Sequence, residues 1–387
     1  MHASTTPGAA AVRTAVGSVM DPELRRPIGE LDMVHRADVY GTTAQVTVAL
    51  TIVGCPAARH IEDEVRAAAS GVIGVTDVEL EMTVMTPEQR QALTEKLRAG
   101  RPARTPAFGP DTLTRIIAVT SGKGGVGKSS ITANLAVALA ARGRRVGLID
   151  ADVHGFSIPA LLGLVDENGH APNPTRIDDL MLPPVGYDVK TISIGMFLRE
   201  GDNVVAWRGP MLHRTLQQFL TDVHFGDLDV LLIDMPPGTG DIAISMGQLV
   251  PHAEVLVVTT PQTAASDVAI RSGLVARQTG QRILGVVENM SAMVLPDGTT
   301  LDLFGEGGGH VVAEQLSTPD NPVPLMASIP LDPALRQGGD TGVPLVRSHP
   351  DNPTAAAIIA LAAQLDSQGR NLVQRHLPIA VHNGRAG

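Results

Sequence analysis

The sequence predicts an α/β protein in which a small α+β domain precedes a doubly wound, mostly parallel sheet. Three observations predict this fold. From Arg115 onward, short β-branched runs alternate with helical stretches, as they do in open parallel sheets. Several of these runs are almost continuously apolar, which is typical of strands buried on both faces. Before residue 87, the strand-like runs alternate in polarity instead.

Residues 1–86 are predicted to form the small domain. Its predicted elements are a helix, two strands, a helix and a strand: residues 8–20, 34–40, 44–52, 56–69 and 72–84. Asp21-Pro22-Glu23 ends the first helix, because a residue that precedes proline disfavours the helical conformation. Gly41 marks the turn between the first two strands, and Pro56 suits the first turn of the second helix.

Residues 87–112 are predicted to be a linker, because the stretch from Arg98 to Pro106 has no hydrophobic periodicity. Residues 113–368 form the predicted large domain, in which helical stretches lie between most strands. Those strands are residues 116–120, 145–150, 189–194, 230–234, 255–260 and 283–287. Ligands of such sheets bind at the carboxyl ends of the strands. The tail, residues 369–387, is predicted to be loosely ordered.

Composition argues against several classes of protein. The 30 basic and 40 acidic residues give a net charge of −10, which disfavours a nucleic-acid partner, and the aromatic content of 2% disfavours single-strand binding. No run approaches the roughly 20 apolar residues that span a membrane, and the N-terminus lacks a signal-peptide pattern. We therefore expect a cytoplasmic protein. The single cysteine, Cys55, excludes an intrachain disulfide.

A glycine-rich segment carries the clearest chemical signal. Gly122 to Ser129 matches G-x-x-x-x-G-K-[ST], follows a predicted strand and opens a predicted helix over 129–141. Backbone N–H groups and the helix N-terminus in such a loop face phosphate oxygens. We expect Lys128 to reach the β- and γ-phosphates and the Ser129 hydroxyl to hold Mg²⁺. The predicted nucleotide-binding residues of the loop are Gly122, Lys123, Gly124, Gly125, Val126, Gly127, Lys128, Ser129 and Ser130.

Lysine is scarce, which makes its placement informative. The chain has four lysines, and two of them, Lys123 and Lys128, lie in the glycine-rich segment, while Lys96 and Lys190 lie elsewhere. A lysine at position 123, among backbone amides, needs an anion, either from its own nucleotide or from one on another subunit.

Acidic residues end two of the predicted strands. Asp150 and Asp152 follow one strand, and Asp234 ends another. Mg²⁺ prefers oxygen ligands and keeps several waters, so Asp150 and Asp234 join Ser129 in the predicted Mg²⁺ site. The proline- and glycine-rich loop from Met235 to Asp241 could reorganise when a γ-phosphate leaves.

Taken together, these motifs resemble the deviant Walker A class of P-loop ATPases, and within it the Mrp/ApbC-like iron–sulfur cluster carriers. The resemblance covers residues 113–365. Its motifs are Ser121 to Ser129, Asp150-Ala151-Asp152, Gly155, Ser157-Ile158-Pro159, Asp234 to Asp241, Thr259 to Gln262, Glu288 to Ser291, Phe304 to Gly309 and Ser328 to Asp332. Asp21 to Leu24 and Gly54-Cys55-Pro56 give residues 1–86 a resemblance to the MIP-type iron–sulfur assembly domain.

The resemblance implies a Mg²⁺-dependent, ATP-hydrolysing homodimer that binds iron–sulfur clusters and transfers them to apoproteins. Its implied partners are apo client proteins or assembly factors, without nucleic acid or membrane. It further implies that Lys123 reaches the nucleotide of the partner subunit, that Asp152 orients or activates the attacking water, and that Asn289 contacts the adenine base. Lys123, Lys128 and Asp152 are the implied catalytic residues.

One departure from the family pattern concerns the cluster itself. After Glu288 to Ser291 the family usually carries Cys-Pro-x-Cys, but here Leu295 and Gly298 occupy the two cysteine positions, and neither can ligate iron. Cys55 is the remaining candidate ligand, and the predicted helix that follows it would favour its thiolate. Three alternatives stay open: Cys55 holds a cluster with external thiols, a partner holds it, or the ATPase has another client.

Two other functions compete with a cluster carrier. The first is an iron-free nucleotide switch that positions or remodels a protein partner, as MinD and ParA do. The tail from Asn371 to Gly387 shows no amphipathic basic face, which argues against a MinD-like membrane role. The second is a phosphoryl transferase, against which the absence of a recognisable acceptor motif argues.

Overall fold

The computed structural model describes residues 8–98, 107–109, 112–153, 155–197, 209–295 and 297–368. The small domain consists of three helices and three strands: α1 (Ala9–Gly17), β1 (Val34–Tyr40), β2 (Thr43–Leu50), α2 (Ala58–Ser70), β3 (Asp77–Val84) and α3 (Pro87–Arg98). Strand β2 lies between β1, to which it is antiparallel, and β3, to which it is parallel. Parallel pairing requires a crossover, and α2 provides it.

Helix α3 lies where the sequence predicted a linker, so that prediction was wrong for residues 87–98. Leu93 and Leu97 are buried in the core of the small domain, while most of the other α3 residues are polar and exposed. Two apolar anchors one turn apart are too few to stand out in the sequence as a periodic pattern. Within the same predicted linker, Phe108 packs on Phe225 of the large domain. Residues 99–106, 110, 111 and the predicted tail lie outside the described residues.

The large domain is a three-layer α/β structure, as predicted. Its strands are β4 (Arg115–Ser121), β5 (Val146–Asp150), β6 (Thr175–Ile177), β7 (Leu180–Leu182), β8 (Val185–Gly186), β9 (Val189–Ser193), β10 (Val230–Asp234), β11 (Glu254–Thr259), β12 (Arg282–Ser291), β13 (Met293–Val294), β14 (Thr300–Leu301) and β15 (Leu325–Pro330). Its helices are α4 (Lys128–Ala141), α5 (Ile158–Leu161), α6 (Gly209–Asp222), α7 (Asp241–Leu249), α8 (Thr263–Gln278), α9 (Gly308–Leu316), α10 (Pro333–Thr341), α11 (Leu345–Ser348) and α12 (Pro353–Ser367).

Eight strands form the central sheet in the order β15-β12-β11-β4-β10-β5-β9-β8, and all pairs are parallel except β8 with β9. Every residue of β4, β5, β10 and β11 is buried. This burial follows from a hydrophobic cluster on each face of the sheet, one including residues of α6 to α9 and the other residues of α4 and α12. The continuous apolar runs in the sequence reflect this two-sided cover.

The strand order determines which carboxyl ends meet. Strand β10 lies between β4 and β5, and Asp234 is paired in register with Asp150 on one side and Val119 on the other. The loop that leaves β4 therefore passes beside two acidic strand ends. This is the edge at which open parallel sheets bind ligands.

The β6–β7 hairpin of the large domain packs against the small domain. Ile177, Leu180 and Leu182 of the hairpin are buried in the same hydrophobic cluster as the core of the small domain. Ion pairs between Arg25 and Asp188 and between Arg98 and Asp179 also join the two domains. Among the described residues, no helix combines the length and the apolar character needed to cross a membrane.

Candidate active site

The phosphate loop connects β4 to α4 and lines a cavity of about 420 Å³ with Asp152, Gly155, Ser157 and Pro237. Gly125 and Gly127 have φ angles of +80° and +77°, a left-handed conformation that glycine adopts without strain. Gly122 is required for a different reason, because a Cβ there would lie 2.2 Å from the backbone nitrogen of Ala269. The glycines of the motif thus allow both the turn and its close packing on α8.

Three donors from the start of α4 converge on Asp234. The Lys128 Nζ lies 2.7 Å from Asp234 Oδ2, and the Ser129 hydroxyl donates to the same oxygen at 2.6 Å. The Thr132 hydroxyl donates to Asp234 Oδ1 at 2.8 Å. The Asp234 side chain is fully buried, and these three protein groups satisfy both of its oxygens. Sequence reasoning missed Thr132, although it lies one helical turn after Lys128 and so on the same face.

Asp150 is also buried, and its contacts organise the loop that follows β5. Its Oδ1 accepts from the Asp152 N–H at 3.2 Å, and its Oδ2 accepts from the Ser193 hydroxyl at 3.0 Å. Burial, and then the adjacent charge of Asp234, raises the pKa of Asp150 to about 8. The carboxyl of Asp150 is therefore largely protonated at neutral pH.

Asp152 and Lys123 line the mouth of the same cavity. Asp152 Oδ1 accepts from the Gly155 N–H at 3.1 Å, and its Oδ2 lies 3.9 Å from Lys128 Nζ. Lys123 Nζ donates to Gln262 Oε1 at 3.1 Å, just before α8 begins. Gln262 was not among the predicted site residues, although it belongs to one of the motifs that carry the family resemblance. Its amide oxygen is neutral, so this contact is a hydrogen bond and not an ion pair.

Asn289 lies at the junction with a second cavity, of about 370 Å³. Its Nδ2 donates to the Val126 carbonyl at 2.9 Å, which ties the end of β12 to the phosphate loop. The second cavity shares Gly127, Ser130 and Ser157 with the first, and residues from 330 to 340 form its far wall. The two connected cavities can therefore receive a phosphate chain and the nucleoside attached to it.

Cys55 lies far from this site, at the interface between the two domains. Its Sγ is 4.0 Å from Glu23 Oε2, and the Thr175 hydroxyl donates to Glu23 Oε1 at 2.6 Å. Burial, with smaller contributions from Glu23 and Asp21, raises the pKa of the thiol to about 11. The expectation that the following helix would favour a thiolate was wrong, because burial and the two nearby carboxylates outweigh the hydrogen bonds from the N–H groups of Ala57 and Ala58.

The segment that lacks the usual cysteines forms a short hairpin of β13 and β14. Leu295 and Gly298 lie in its turn, where the Gly298 N–H donates to the Leu295 carbonyl at 2.9 Å. Neither residue offers a ligand for iron. Within the part of the chain that the structure describes, no three side chains of His, Cys, Asp or Glu converge as metal ligands.

Comparison with known proteins agrees with this geometry. Residues 112–366 match the family described as NUBPL iron-transfer P-loop NTPase. The chain belongs to this family. Residues 9–82 match the family described as iron–sulfur cluster assembly protein. Both resemblances inferred from the sequence, to the P-loop ATPases of iron–sulfur metabolism and to the small assembly domain, are therefore confirmed.

The similarity to relatives of this P-loop NTPase family extends over both domains. The iron–sulfur cluster carrier protein of Mycobacterium tuberculosis (strain ATCC 25618 / H37Rv) is 53% identical over 366 residues, 94% of each chain. The iron–sulfur cluster carrier protein of Synechocystis sp. is 40% identical over 92% of this chain and 96% of its own length. A solved structure, the nucleotide-binding protein of Archaeoglobus fulgidus in complex with ADP, is 36% identical over 59% of this chain and 86% of its own, with a TM-score of 0.48.

Proposed function

We propose that this P-loop NTPase hydrolyses ATP and carries iron–sulfur clusters, which it transfers to apoproteins. One observation carries the proposal: the similarity to iron–sulfur cluster carrier proteins covers 94% of both chains and so includes the two domains together. The connected cavities at the carboxyl edge of the sheet support the nucleotide part. We further propose the cytoplasm as its location, in agreement with a chain that has one thiol and no disulfide.

The phosphate loop would bind the phosphates of ATP through its backbone N–H groups and Lys128. Lys128 now pairs with Asp234 at 2.7 Å, and a phosphate within reach would share this ammonium. Ser129, Asp234 and Asp150 would provide the oxygen ligands and water contacts for Mg²⁺, which neutralises phosphate charge when it is bound. The protonated carboxyl of Asp150 would release its proton when the cation binds nearby. Asn289 would face the nucleoside in the adjoining cavity.

Asp152 is our candidate for orienting the attacking water. Its Oδ2 lies in the cavity 3.9 Å from Lys128 Nζ, and the Gly155 N–H holds its other oxygen. A carboxylate beside the ammonium that binds the γ-phosphate can accept a hydrogen bond from water at that phosphate.

We also propose that the protein acts as a homodimer in which Lys123 reaches the partner subunit's nucleotide. Lys123 is partly exposed at the cavity mouth and pairs with a neutral amide rather than with a carboxylate. Hydrolysis would then depend on assembly, because each site would lack one cation in the monomer.

The cluster ligands of this chain differ from the usual family pattern. Leu295 and Gly298 remove the usual thiols, and Cys55 is a buried, protonated thiol between the domains. We propose that client or assembly proteins supply most of the iron ligands, with Cys55 contributing when the small domain moves away from the β6–β7 hairpin.

Anaerobic reconstitution with iron and sulfide tests the carrier function. Wild type and Cys55→Ala would be compared for bound iron, bound sulfide and visible absorption, with and without Mg-ATP, followed by transfer to an apo four-iron protein. Lys128→Ala, measured in parallel for ATP binding, tests the nucleotide site separately. Cys55-dependent loading and transfer would support the carrier, whereas loading at the level of a buffer blank in both proteins would contradict direct carriage.

The alternative function is an iron-free switch that positions or remodels a protein partner. The loss of both cysteines at positions 295 and 298 favours it. If the purified protein binds and hydrolyses ATP but neither loads nor transfers a cluster, that result would support the iron-free switch.

A further inference from the structure

A cavity of about 680 Å³ lies between the two domains, away from the nucleotide site. Its walls include Leu24 to Arg26 and Leu97 of the small domain and the segments before β5 and β10 of the large domain. None of its lining residues belongs to the two cavities of the nucleotide site. The separation follows from the fold, because Val146 at this cavity is the first residue of β5 and the nucleotide site lies beyond its last residue, Asp150, about 13 Å away at 3.3 Å per residue.

Cationic side chains from both domains line this interdomain cavity. The six cations are Arg25, Arg26, Lys96, Arg144, Arg145 and Lys190. Among the described residues that line the cavity, only Asp188 and Asp227 are acidic. The sign of this local charge is opposite to that of the whole chain, whose net charge is −10. The cavity also contains the two lysines of the chain that the nucleotide site does not use.

The cations at the rim form ion pairs with carboxylates, and a bound anion could replace those carboxylates. Arg26 pairs with Glu30 and Lys96 with Asp32, at 3.0 and 2.7 Å, and both cations are 41% exposed. Arg145 pairs with Asp229 at 2.9 Å and is 59% exposed. Solvent screens pairs of this kind, so each stabilises the protein little. A ligand of higher charge can therefore compete for these cations at small cost.

Lys190 differs from the rim cations because it is buried. Its side chain lies in β9, and its Nζ donates to the Phe225 carbonyl at 2.9 Å. Among the described residues, no carboxylate lies within the 4.0 Å of an ion pair with this ammonium. Burial, and then the charge of Arg25, lowers the pKa of Lys190 to about 8. The carboxylates of Asp21 and Asp227 act in the opposite direction but do not offset burial. A buried ammonium without an ion-pair partner within 4.0 Å is costly, and a bound anion would reduce that cost.

Gly226 lines the cavity next to Lys190. A Cβ at position 226 would lie 3.4 Å from Lys190 Nζ and 3.9 Å from His224 Nε2. The φ of Gly226 is +68°, a conformation that side-chain-bearing residues rarely adopt. The backbone conformation therefore favours glycine beside the ammonium, whereas a Cβ would make only ordinary contacts there.

We propose that the interdomain cavity binds a small multivalent oxyanion, a phosphate or polycarboxylate compound, with Lys190 at its floor and Arg25, Arg26 and Lys96 at its rim. The ligand would contact cations of both domains at once. Because it binds only the docked arrangement, it would stabilise the packing of the small domain on the ATPase domain. This site is independent of the proposed carrier function.

Titration calorimetry of the full chain tests the site. Sodium phosphate, pyrophosphate and citrate would be titrated at constant ionic strength with saturating Mg-ADP, so that the phosphate loop is occupied. We expect one site per chain, weakened at least about tenfold in Lys190→Met, since a charge-assisted hydrogen bond is lost. Arg26→Met should weaken it less. Arg66→Met is the matched control, because Arg66 pairs with Glu62 on α2, outside the cavity.

The titrations distinguish the class of anion and test whether the site exists. Tighter binding of pyrophosphate or of citrate would distinguish a phosphate ligand from a carboxylate ligand. No saturable binding of any of the three anions, or equal binding by Lys190→Met and wild type, would overturn the proposal.

Amine labelling of the wild type keeps the test valid even where Lys190→Met does not fold. The chain has four lysines, so peptide mass spectrometry can follow each of them. The preferred anion should slow the labelling of Lys190 and Lys96 at pH 8 and leave Lys123 unchanged in the presence of Mg-ADP. An unchanged rate at Lys190 under saturating anion would count against the site.

Discussion

Replacing Lys128 with methionine should destabilise the folded protein even in the absence of nucleotide. Lys128 is 6% exposed and Asp234 is fully buried, and their charged atoms are 2.7 Å apart. Removing one partner of a buried pair typically costs about 3–5 kcal/mol, because the other charge remains without compensation. The phosphate-loop lysine thus has a structural role besides its role in binding phosphate.

Two features of the site limit the size of this effect. Asp150 is largely neutral at pH 7, so the substitution leaves one buried carboxylate without a cationic partner rather than two. That carboxylate can take up a proton instead, and protonating an ordinary carboxyl at pH 7 costs about 4 kcal/mol, three pKa units at about 1.4 each. Ser129 and Thr132 still donate to Asp234, so we expect a loss of about 3 kcal/mol.

Urea unfolding followed by circular dichroism, with EDTA and without nucleotide, measures this loss. Lys123→Met is the matched control, because Lys123 is partly exposed and bound to a neutral amide. The double variant Lys128→Met, Asp234→Asn should recover most of the stability, since it removes both charges. The loss should also shrink from pH 7 to pH 5, where protonation is easier. A single variant within about 0.5 kcal/mol of wild type, or a double variant that is no more stable, would refute the reasoning.

Three further predictions follow from the same geometry. Lys123→Ala should reduce ATP hydrolysis more than ATP binding, and equal losses would mean that Lys123 serves only its own nucleotide. Cys55 should react with iodoacetamide at pH 7.5 at least about a hundredfold more slowly in the native protein than in urea, since burial keeps it protonated; similar rates would contradict this. Burial raises the pKa of Asp150 to about 8, so the folded state holds a proton that the unfolded state releases. Stability should therefore fall as the pH rises from about 4 to 8. Asp150→Asn should flatten this decline when the free energy of unfolding is measured by urea at each pH. An unchanged slope of stability against pH would argue against the raised pKa of Asp150.

Where patterns were local, the sequence predicted the elements closely. Strands Val34–Tyr40 and Val230–Asp234 have the predicted bounds, because turn residues or polar ends frame a short run of strand formers. Strand β3 was predicted from residue 72 but begins at Asp77. Residues 72–76 are also β-branched or small, yet they form the turn after α2 and have no partner strand, and pairing rather than composition makes a strand.

The site shows the same division between local and distant information. The phosphate loop is one continuous segment whose glycines, lysine and serine each have a local geometric reason, so its position could be predicted. Ser193 was missed because its hydroxyl reaches Asp150 from a distant strand, and a lone hydroxyl carries no spacing signal. Thr132 and Gln262 did lie at informative positions, one helical turn after Lys128 and within a quoted motif, but only the tertiary structure shows that they contact Asp234 and Lys123.

The sequence by itself determined the α/β class, the phosphate loop, the acidic strand ends and the loss of the two cysteines, because each depends on residue types at fixed spacing. The tertiary structure determined which residues are neighbours in the folded protein. The sheet order places Asp150 beside Asp234, and this proximity helps to raise the pKa of Asp150. The packing of the small domain buries Cys55 beside Glu23 and encloses Lys190. Burial and neighbouring charge set the protonation of these groups, and both arise only when distant segments pack together.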